Sequence, residues 1–146
     1  MLRVLAAVAA IAVVGTLAYA QNLDAIKQRQ TAMKGMLEAY KAPTKMMKGE
    51  MPFELRPVQA ALKTFQNTAE KAPNLFPEDS KTGADTDALP AIWQNKPDFT
   101  SRFDKLHKAA ASAEATIKDE TTFKAEWPKV VKNCADCHKE YRKPQS

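Results

Sequence analysis

Residues 122–141 read TFKAEWPKVVKNCADCHKEY and decide the fold. Apolar residues recur in this stretch at steps of three and four, which is typical of a helix with one buried face. The residues that share this face are Phe123, Trp127, Val130, Cys134, Cys137 and Tyr141. We predict a long helix, capped by Thr121 or Thr122, that starts just before Pro128 or bends there. Both cysteines of the chain therefore lie on its core-facing side.

The segment Cys134-Ala135-Asp136-Cys137-His138 within this helix has the C-x-x-C-H spacing of covalent c-type haem attachment. Cys134 and Cys137 share a helix face, and His138 lies about one turn after Cys134. Two thiols can bond the two vinyl groups of a porphyrin while the imidazole reaches the iron from one side. We therefore predict one covalently bound haem c, with His138 as an iron ligand.

Three rival interpretations use the same cysteines. A zinc site needs four ligands, and the remaining histidine, His107, is distant in sequence and is expected to be an ordinary surface or boundary residue. A thioredoxin-like redox pair would follow a strand in a βαβ unit, and no such alternation occurs. A structural disulfide suits an exported protein but gives no reason for the histidine.

Three further segments show helical periodicity, and none shows the pattern of a strand. The first follows Asn22 as N-cap, with a bend expected near Ala42 because of Pro43, and its stripe is Leu23, Ile26, Gln30, Met33, Leu37, Tyr40, Thr44 and Met47. The second follows Pro52, with Pro57 in its first turn, and its stripe is Leu55, Val58, Leu62, Phe65 and Ala69. The third begins near Asp98, and its stripe is Phe99, Phe103, Leu106, Ala110, Ala113 and Ile117.

Connection lengths determine the topology expected of these helices. The connections around Gly49 and Asp119 are short and make neighbouring helices antiparallel. The stretch between Lys71 and Asp98 is long and rich in proline, yet it contains apolar residues such as Trp93 that can pack on the helices. We predict an all-α fold: an antiparallel four-helix bundle with a long ordered crossover between helices 2 and 3.

The first twenty residues have the pattern of a cleaved signal peptide. Arg3 precedes an apolar run, and Ala18-Tyr19-Ala20 is a small-x-small cleavage site. An uncleaved anchor is the alternative, although the apolar run is short for a membrane span. Cleavage would leave residues 21–146 as a single haem-binding domain with no stable membrane span. Because c-type haem is attached outside the cytoplasm, we expect a bacterial periplasmic protein.

The charge balance excludes one class of partner and favours another. The whole chain has 22 Lys and Arg against 17 Asp and Glu, a net charge of +5. The lysines are spread along the chain rather than clustered, so a nucleic-acid partner is not expected. A modestly basic surface would instead steer the protein toward an acidic redox partner.

Several motifs together resemble the cytochrome c′ family, the class II c-type cytochromes, over essentially the whole mature length. The matching features are C-x-x-C-H near the C-terminus, Tyr141-Arg142, Arg29-Gln30, Leu75-Phe76-Pro77 and Ile92-Trp93. The resemblance implies a four-helix bundle. It also implies that Arg29 and Gln30 lie by the haem propionates, that Arg142 lies beside the axial histidine, and that a homodimer can form through the first two helices.

The resemblance also indicates a second iron ligand. High-spin members place a bulky apolar residue over the iron, whereas low-spin members place a methionine there as a ligand. Counting from Arg29-Gln30, the residue at that position is Met33, and Met36 is the next candidate. Methionines at helical spacing also commonly fill core space, which is the alternative role of Met33.

The sequence thus predicts a low-spin, periplasmic, mono-haem electron carrier with His138 and Met33 as axial ligands, closest to the methionine-ligated members of the family. The first alternative is a high-spin protein that binds nitric oxide or carbon monoxide. The second is a thiol or metal-binding protein without haem. No acid-base pair or substrate pocket is evident, so no enzymatic activity is expected.

Overall fold

The computed structural model describes residues 22–145, which are mainly helical and contain no strand. The helices are α1 Leu23–Met47, α2 Leu55–Lys71, the single turn α3 Ala91–Gln94, α4 Lys96–Thr116 and α5 Glu120–Tyr141. Two 3-10 turns, Ala72–Leu75 and Glu78–Ser80, lie between α2 and α3. No helix in this part of the chain combines the length and apolarity needed to cross a bilayer. The predicted signal peptide, residues 1–20, lies outside the described residues.

Side-chain hydrogen bonds fix the relative directions of α2 and α4. Gln59, near the start of α2, donates to the carbonyls of Glu114 and Ile117 at the end of α4, at 3.2 and 3.1 Å. Lys96, at the start of α4, donates to the carbonyl of Phe76, just beyond α2, at 2.7 Å. The short connections after α1 and α4 make each of these helices antiparallel to the next. The predicted antiparallel bundle, with an ordered crossover at residues 72–95, is confirmed.

Aromatic side chains from three of the long helices, α1, α2 and α5, pack against one another in the core. Trp127 of α5 is 2 % exposed and contacts Phe65 of α2 and Phe123, with ring centroids 5.7 and 5.8 Å apart. Tyr40 of α1 stacks on Trp127 at 6.3 Å. Aromatic side chains bury large areas and prefer such tilted or offset contacts. This cluster therefore fixes the register between α1 and α5.

The buried face of α1 is rotated from the predicted stripe. Leu23 and Leu37 are 49 and 54 % exposed, and Gln30 is exposed as well. The buried residues are Ala25, Ile26, Arg29, Met36, Pro43 and Met46. The predicted stripe repeats every seven residues, and such a repeat drifts about 20° per heptad relative to a straight helix. The prediction was wrong at these positions because it kept a fixed heptad and built the stripe mainly from apolar residues, which left out the buried Arg29.

The helix ends confirm one predicted cap and correct the other. The side chain of Asn22 accepts the Ala25 amide at 2.9 Å, as predicted. Asp119 caps α5 instead of Thr121 or Thr122, and its carboxylate accepts the Thr122 amide at 2.8 Å. The Thr122 side chain in turn accepts the Asp119 amide, which completes a capping box. The helix therefore starts well before Pro128.

The set of residues that α1 buries leads to a prediction about stability. At a concentration where the protein is monomeric, we expect Leu37→Gln to change the free energy of unfolding by less than about 0.5 kcal/mol, because the side chain is mostly in water in the single chain. Ile26→Val, at a site 1 % exposed, should cost about 1 kcal/mol. Urea unfolding followed by circular dichroism measures both. A larger loss of unfolding free energy for Leu37→Gln than for Ile26→Val would contradict this assignment of the buried face of α1.

Candidate functional site

The C-x-x-C-H motif lies in the last two turns of α5. Cys134 and Cys137 are half-buried free thiols, and Cys137 packs against the hydrophobic core. Burial raises the pKa of Cys134 and raises that of Cys137 to about 11, so both are neutral thiols at physiological pH. The structure therefore has two uncharged thiol groups one turn apart on the same face of α5.

His138 follows directly in a half-buried position. Burial, and then the charge of Arg142, lower the pKa of its imidazole. The neutral ring is the form that ligates a metal. The Arg142 Nε is buried and has no hydrogen-bond partner among residues 22–145. Arg142 thus places a positive charge with an unused hydrogen-bond donor near the imidazole. The family resemblance implies this position, and the role of Arg142 beside a haem ligand stays a prediction.

The Tyr40–Trp127 contact defines what lies opposite the motif. Met33 is seven residues before Tyr40, and Cys134 is seven after Trp127, about 10.5 Å along each helix axis. Since α1 and α5 are antiparallel, both displacements run toward the same end of the bundle. Seven residues are close to two turns, so Met33 and Cys134 keep the facing positions of the two rings. Met33 is half-buried and packs against the core.

Met36 differs from Met33 in height and environment. It lies one turn nearer the Tyr40–Trp127 contact and is 8 % exposed within the apolar core. The height of His138, eleven residues after Trp127, corresponds to that of Arg29, eleven before Tyr40. Met33 is therefore nearer than Met36 to the height of the imidazole.

Arg29 is buried and is bonded to the crossover. Only 3 % of it is exposed, and its two terminal nitrogens donate to the Ser80 hydroxyl at 2.9 Å, the Ser80 carbonyl at 3.0 Å and the Thr86 hydroxyl at 3.0 Å. The guanidinium also lies 4.8 Å from the ring centroid of Phe76. The predicted partner, a propionate carboxylate, remains untested, and the observed contacts give Arg29 a structural role.

Gln30 differs from its expected surroundings. The predicted buried stripe of α1 includes Gln30, but the residue is exposed and its amide donates to the Asp85 carbonyl at 2.7 Å. Both side chains of the Arg29-Gln30 pair therefore donate hydrogen bonds to the crossover. Predicted contacts of Gln30 with a propionate stay a prediction.

A group of residues on α4 also contacts the motif and was missed by sequence reasoning. Arg102 donates to the carbonyl of Asp136, inside C-x-x-C-H, at 2.9 Å. Its Nε donates to Asp98, which also accepts the Tyr141 hydroxyl. The spacing of Asp98 and Arg102 indicates a helical ion pair, but nothing local in the sequence connects that pair to α5. His107, by contrast, stays a partly exposed residue of α4.

The residues present fit a covalently attached haem. Two neutral thiols one turn apart, a neutral imidazole beside them and a thioether on the opposite helix are the donor set of a c-type haem with one or two axial ligands. The orphaned Arg142 Nε supplies a polar contact for a bound group. This chemistry matches the interpretation of the motif made from its spacing.

Comparison with known proteins decides the family. The family model described as Cytochrome C′ matches residues 24–142. The chain belongs to the cytochrome c′ family. Members of this family bind one covalent haem c with iron, and the haem interpretation of C-x-x-C-H is thereby confirmed over zinc, redox-thiol and disulfide uses. Cys134, Cys137 and His138 are the residues of this cytochrome that would hold it.

Individual relatives cover almost all of this cytochrome. A cytochrome c′ of Rhodopseudomonas palustris is 42 % identical over 142 residues, 97 % of each chain. A cytochrome c-556 of the same organism is 32 % identical over 146 residues, again 97 % of each. The structure of Rhodopseudomonas palustris cytochrome c′ superimposes with a TM-score of 0.82 at 46 % identity, covering 84 % of this chain and 98 % of that one. The bacterial relatives of this chain thus include proteins named cytochrome c′ and proteins named cytochrome c-556.

Proposed function

We propose that the protein is a periplasmic, low-spin electron carrier whose haem iron is held between His138 and Met33. The observation that supports the proposal is the Tyr40–Trp127 contact, from which we infer that Met33 lies on the opposite helix at about the height of Cys134. Cytochrome c-556 relatives favour the low-spin carrier, while the cytochrome c′ relative favours the alternative.

The choice of Met33 over Met36 rests on height and packing. Met33 is four residues, about 6 Å, from the height of His138, and Met36 is seven residues, about 10.5 Å, away. Met36 is also enclosed by the apolar core, whereas Met33 is half-buried. A long unbranched side chain can reorient at a half-buried site with little loss of packing.

Two axial protein ligands suit electron transfer. The haem supplies one-electron redox chemistry, and its potential depends on the axial ligands and their surroundings. His138 and Met33 would occupy both axial positions in each oxidation state, so little rearrangement would accompany the change of charge. The Cys134 and Cys137 thioethers would fix the macrocycle to α5. We propose no enzymatic turnover, since these residues provide no acid-base pair at the site.

The alternative function is high-spin binding of nitric oxide or carbon monoxide. It is favoured by the cytochrome c′ relative at 42 % identity and by the partial exposure of Met33. Under this alternative Met33 would stand over the iron without ligating it, and would restrict which gases enter.

An absorption spectrum of the purified protein in both oxidation states, with and without carbon monoxide, separates the two functions. We expect a low-spin spectrum with a methionine-to-iron charge-transfer band in the oxidised state and little change on adding carbon monoxide. A high-spin spectrum that converts promptly with carbon monoxide would replace the carrier with the gas-binding alternative. A colourless mature protein would contradict both.

The partner and location are proposed from charge and from the N-terminus. Exposed lysines near the end of α5, such as Lys139 and Lys143, favour an acidic redox partner. The rate of electron transfer to an acidic partner protein should then fall as ionic strength rises, and a rate independent of salt would contradict this.

N-terminal sequencing of the native protein should give Gln21 if the first twenty residues are removed on export.

A homodimer through the first two helices is a further proposal about assembly. Leu23 and Leu37, both exposed, lie fourteen residues apart on α1 and so share one face. Sedimentation equilibrium of the wild-type protein and of Leu37→Gln should then differ in association. Equal monomeric mass for both at millimolar concentration would contradict a dimer at this face.

A further inference from the structure

Three side chains form a closed cluster between α4 and α5 beside the haem-attachment motif. One oxygen of Asp98, Oδ2, accepts the Tyr141 hydroxyl at 2.6 Å and the Arg102 Nε at 2.8 Å. The Arg102 guanidinium lies 5.4 Å from the centroid of the Tyr141 ring. We call Asp98, Arg102 and Tyr141 the α4–α5 cluster.

The cluster also binds the backbone of the motif itself. Arg102 Nη1 donates to the Asp136 carbonyl at 2.9 Å. Asp136 is two residues before His138, and Tyr141 is three after it. The fork of the guanidinium allows one side chain to bond a carboxylate on its own helix and a carbonyl on another. Two ion-paired side chains of α4 therefore bond α5 before and after His138 along the chain: Arg102 bonds the Asp136 carbonyl, and Asp98 accepts the Tyr141 hydroxyl.

We infer that the α4–α5 cluster is a positioning device for the axial ligand: it fixes the turn of α5 that carries His138 and thereby sets the orientation of the imidazole relative to the haem. Groups that orient a ligand from beyond the coordination sphere tune the electronic properties of the metal. The inference rests on haem attachment at C-x-x-C-H, and it stands whether or not Met33 is the second ligand.

The partial exposure of the cluster distinguishes positioning from bulk stability. The side chains of Asp98 and Arg102 are 34 and 26 % exposed, and ion pairs in such places contribute little to unfolding free energy. The Tyr141 side chain is 6 % exposed, so we expect the packing of its ring to survive loss of the hydroxyl. Variants that remove only the hydrogen bonds should therefore fold and take up haem, while the axial geometry changes.

The test uses the holoprotein with Arg102→Gln, Tyr141→Phe and the double variant. Midpoint potential and the hyperfine-shifted proton resonances of the His138 ring are measured for each. We expect each single variant to change the redox equilibrium constant by about threefold, which is about 28 mV at 59 mV per tenfold for one electron. The double variant should change it by less than the sum, because both bonds share Asp98 Oδ2.

Lys105→Gln is the matched control. Lys105 lies on α4 three residues after Arg102, is exposed and has no side-chain hydrogen bond or ion pair among the described residues. Lys105 lines the same small cavity as Arg102 and Asp136, so Lys105→Gln removes the same charge at nearly the same place without removing a hydrogen bond to α5. The potential should therefore change much less, and the His138 resonances should stay in place. Arg102→Lys keeps the charge but lacks the fork, and should fail to restore the wild-type resonances.

Three outcomes would overturn the inference. These are unchanged His138 resonances in both single variants, an equal potential shift in Lys105→Gln, and full restoration by Arg102→Lys, since the last two indicate charge alone. If Arg102→Gln fails to fold, Tyr141→Phe decides, because it keeps the buried ring. A high-spin wild-type spectrum would contradict ligation by Met33 but leave this test intact, since histidine resonances report on either spin state.

Discussion

Replacing Met33 with alanine is expected to convert the oxidised protein fully from a low-spin to a high-spin spectrum. The methyl side chain of alanine cannot reach the iron, so His138 would remain as the sole protein ligand. The methionine-to-iron charge-transfer band should disappear, carbon monoxide should bind the reduced form promptly, and the midpoint potential should fall because a thioether favours the reduced state. Absorption spectra and redox titration measure all three.

Met36→Ala is the matched control for this experiment. The Met36 side chain is buried in the core, so its truncation should cost about 2–5 kcal/mol of unfolding free energy. The spectrum of the folded protein should nevertheless stay low-spin. An unchanged spectrum in Met33→Ala would remove Met33 from the site. A high-spin spectrum in Met36→Ala alone would make Met36 the ligand.

Arg29→Ala is expected to destabilise the protein by about 3 kcal/mol, because buried polar groups of the crossover lose their partner. The Ser80 carbonyl and hydroxyl and the Thr86 hydroxyl all accept from this guanidinium. Phe76 also loses the cation over its ring. Thermal unfolding by circular dichroism gives the loss. Faster amide exchange at residues 76–90 would show that the crossover loosens first.

Gln30→Ala and Arg29→Lys are the controls. Gln30 is exposed, so its truncation should change stability by less than about 0.5 kcal/mol. Lysine keeps the charge of Arg29 but has one terminal nitrogen in place of the two that bond Ser80 and Thr86, so most of the loss should persist. If Arg29→Ala instead kept full stability and lowered the midpoint potential, contact with the haem propionates would be its main role and the structural role would be refuted.

The features predicted well from sequence are those that depend on neighbours along the chain. The C-x-x-C-H spacing specifies its chemistry within five residues, and family membership confirms it. Four long helices and the order of their connections follow from periodicity and loop length, both of which are local. The prediction weakened where phase had to be carried along twenty-five residues, as Leu37 and Gln30 on α1 show.

The α5 cap illustrates the same limit at short range. The prediction considered Thr121 and Thr122, and it passed over Asp119, although aspartate is a stronger N-cap than threonine. The reciprocal bonds between Asp119 and Thr122 select the first as the cap.

By itself, the sequence determined the cofactor, the helical class and the antiparallel order, because thiol spacing, helical periodicity and short connections act between residues close along the chain. Only the tertiary structure decided that Arg29 is buried against the crossover and that Arg102 bonds the motif on α5. Those contacts join residues 34 to 57 positions apart. They exist because packing brings the helices and the crossover together, and because the buried guanidinium of Arg29 needs hydrogen-bond partners there.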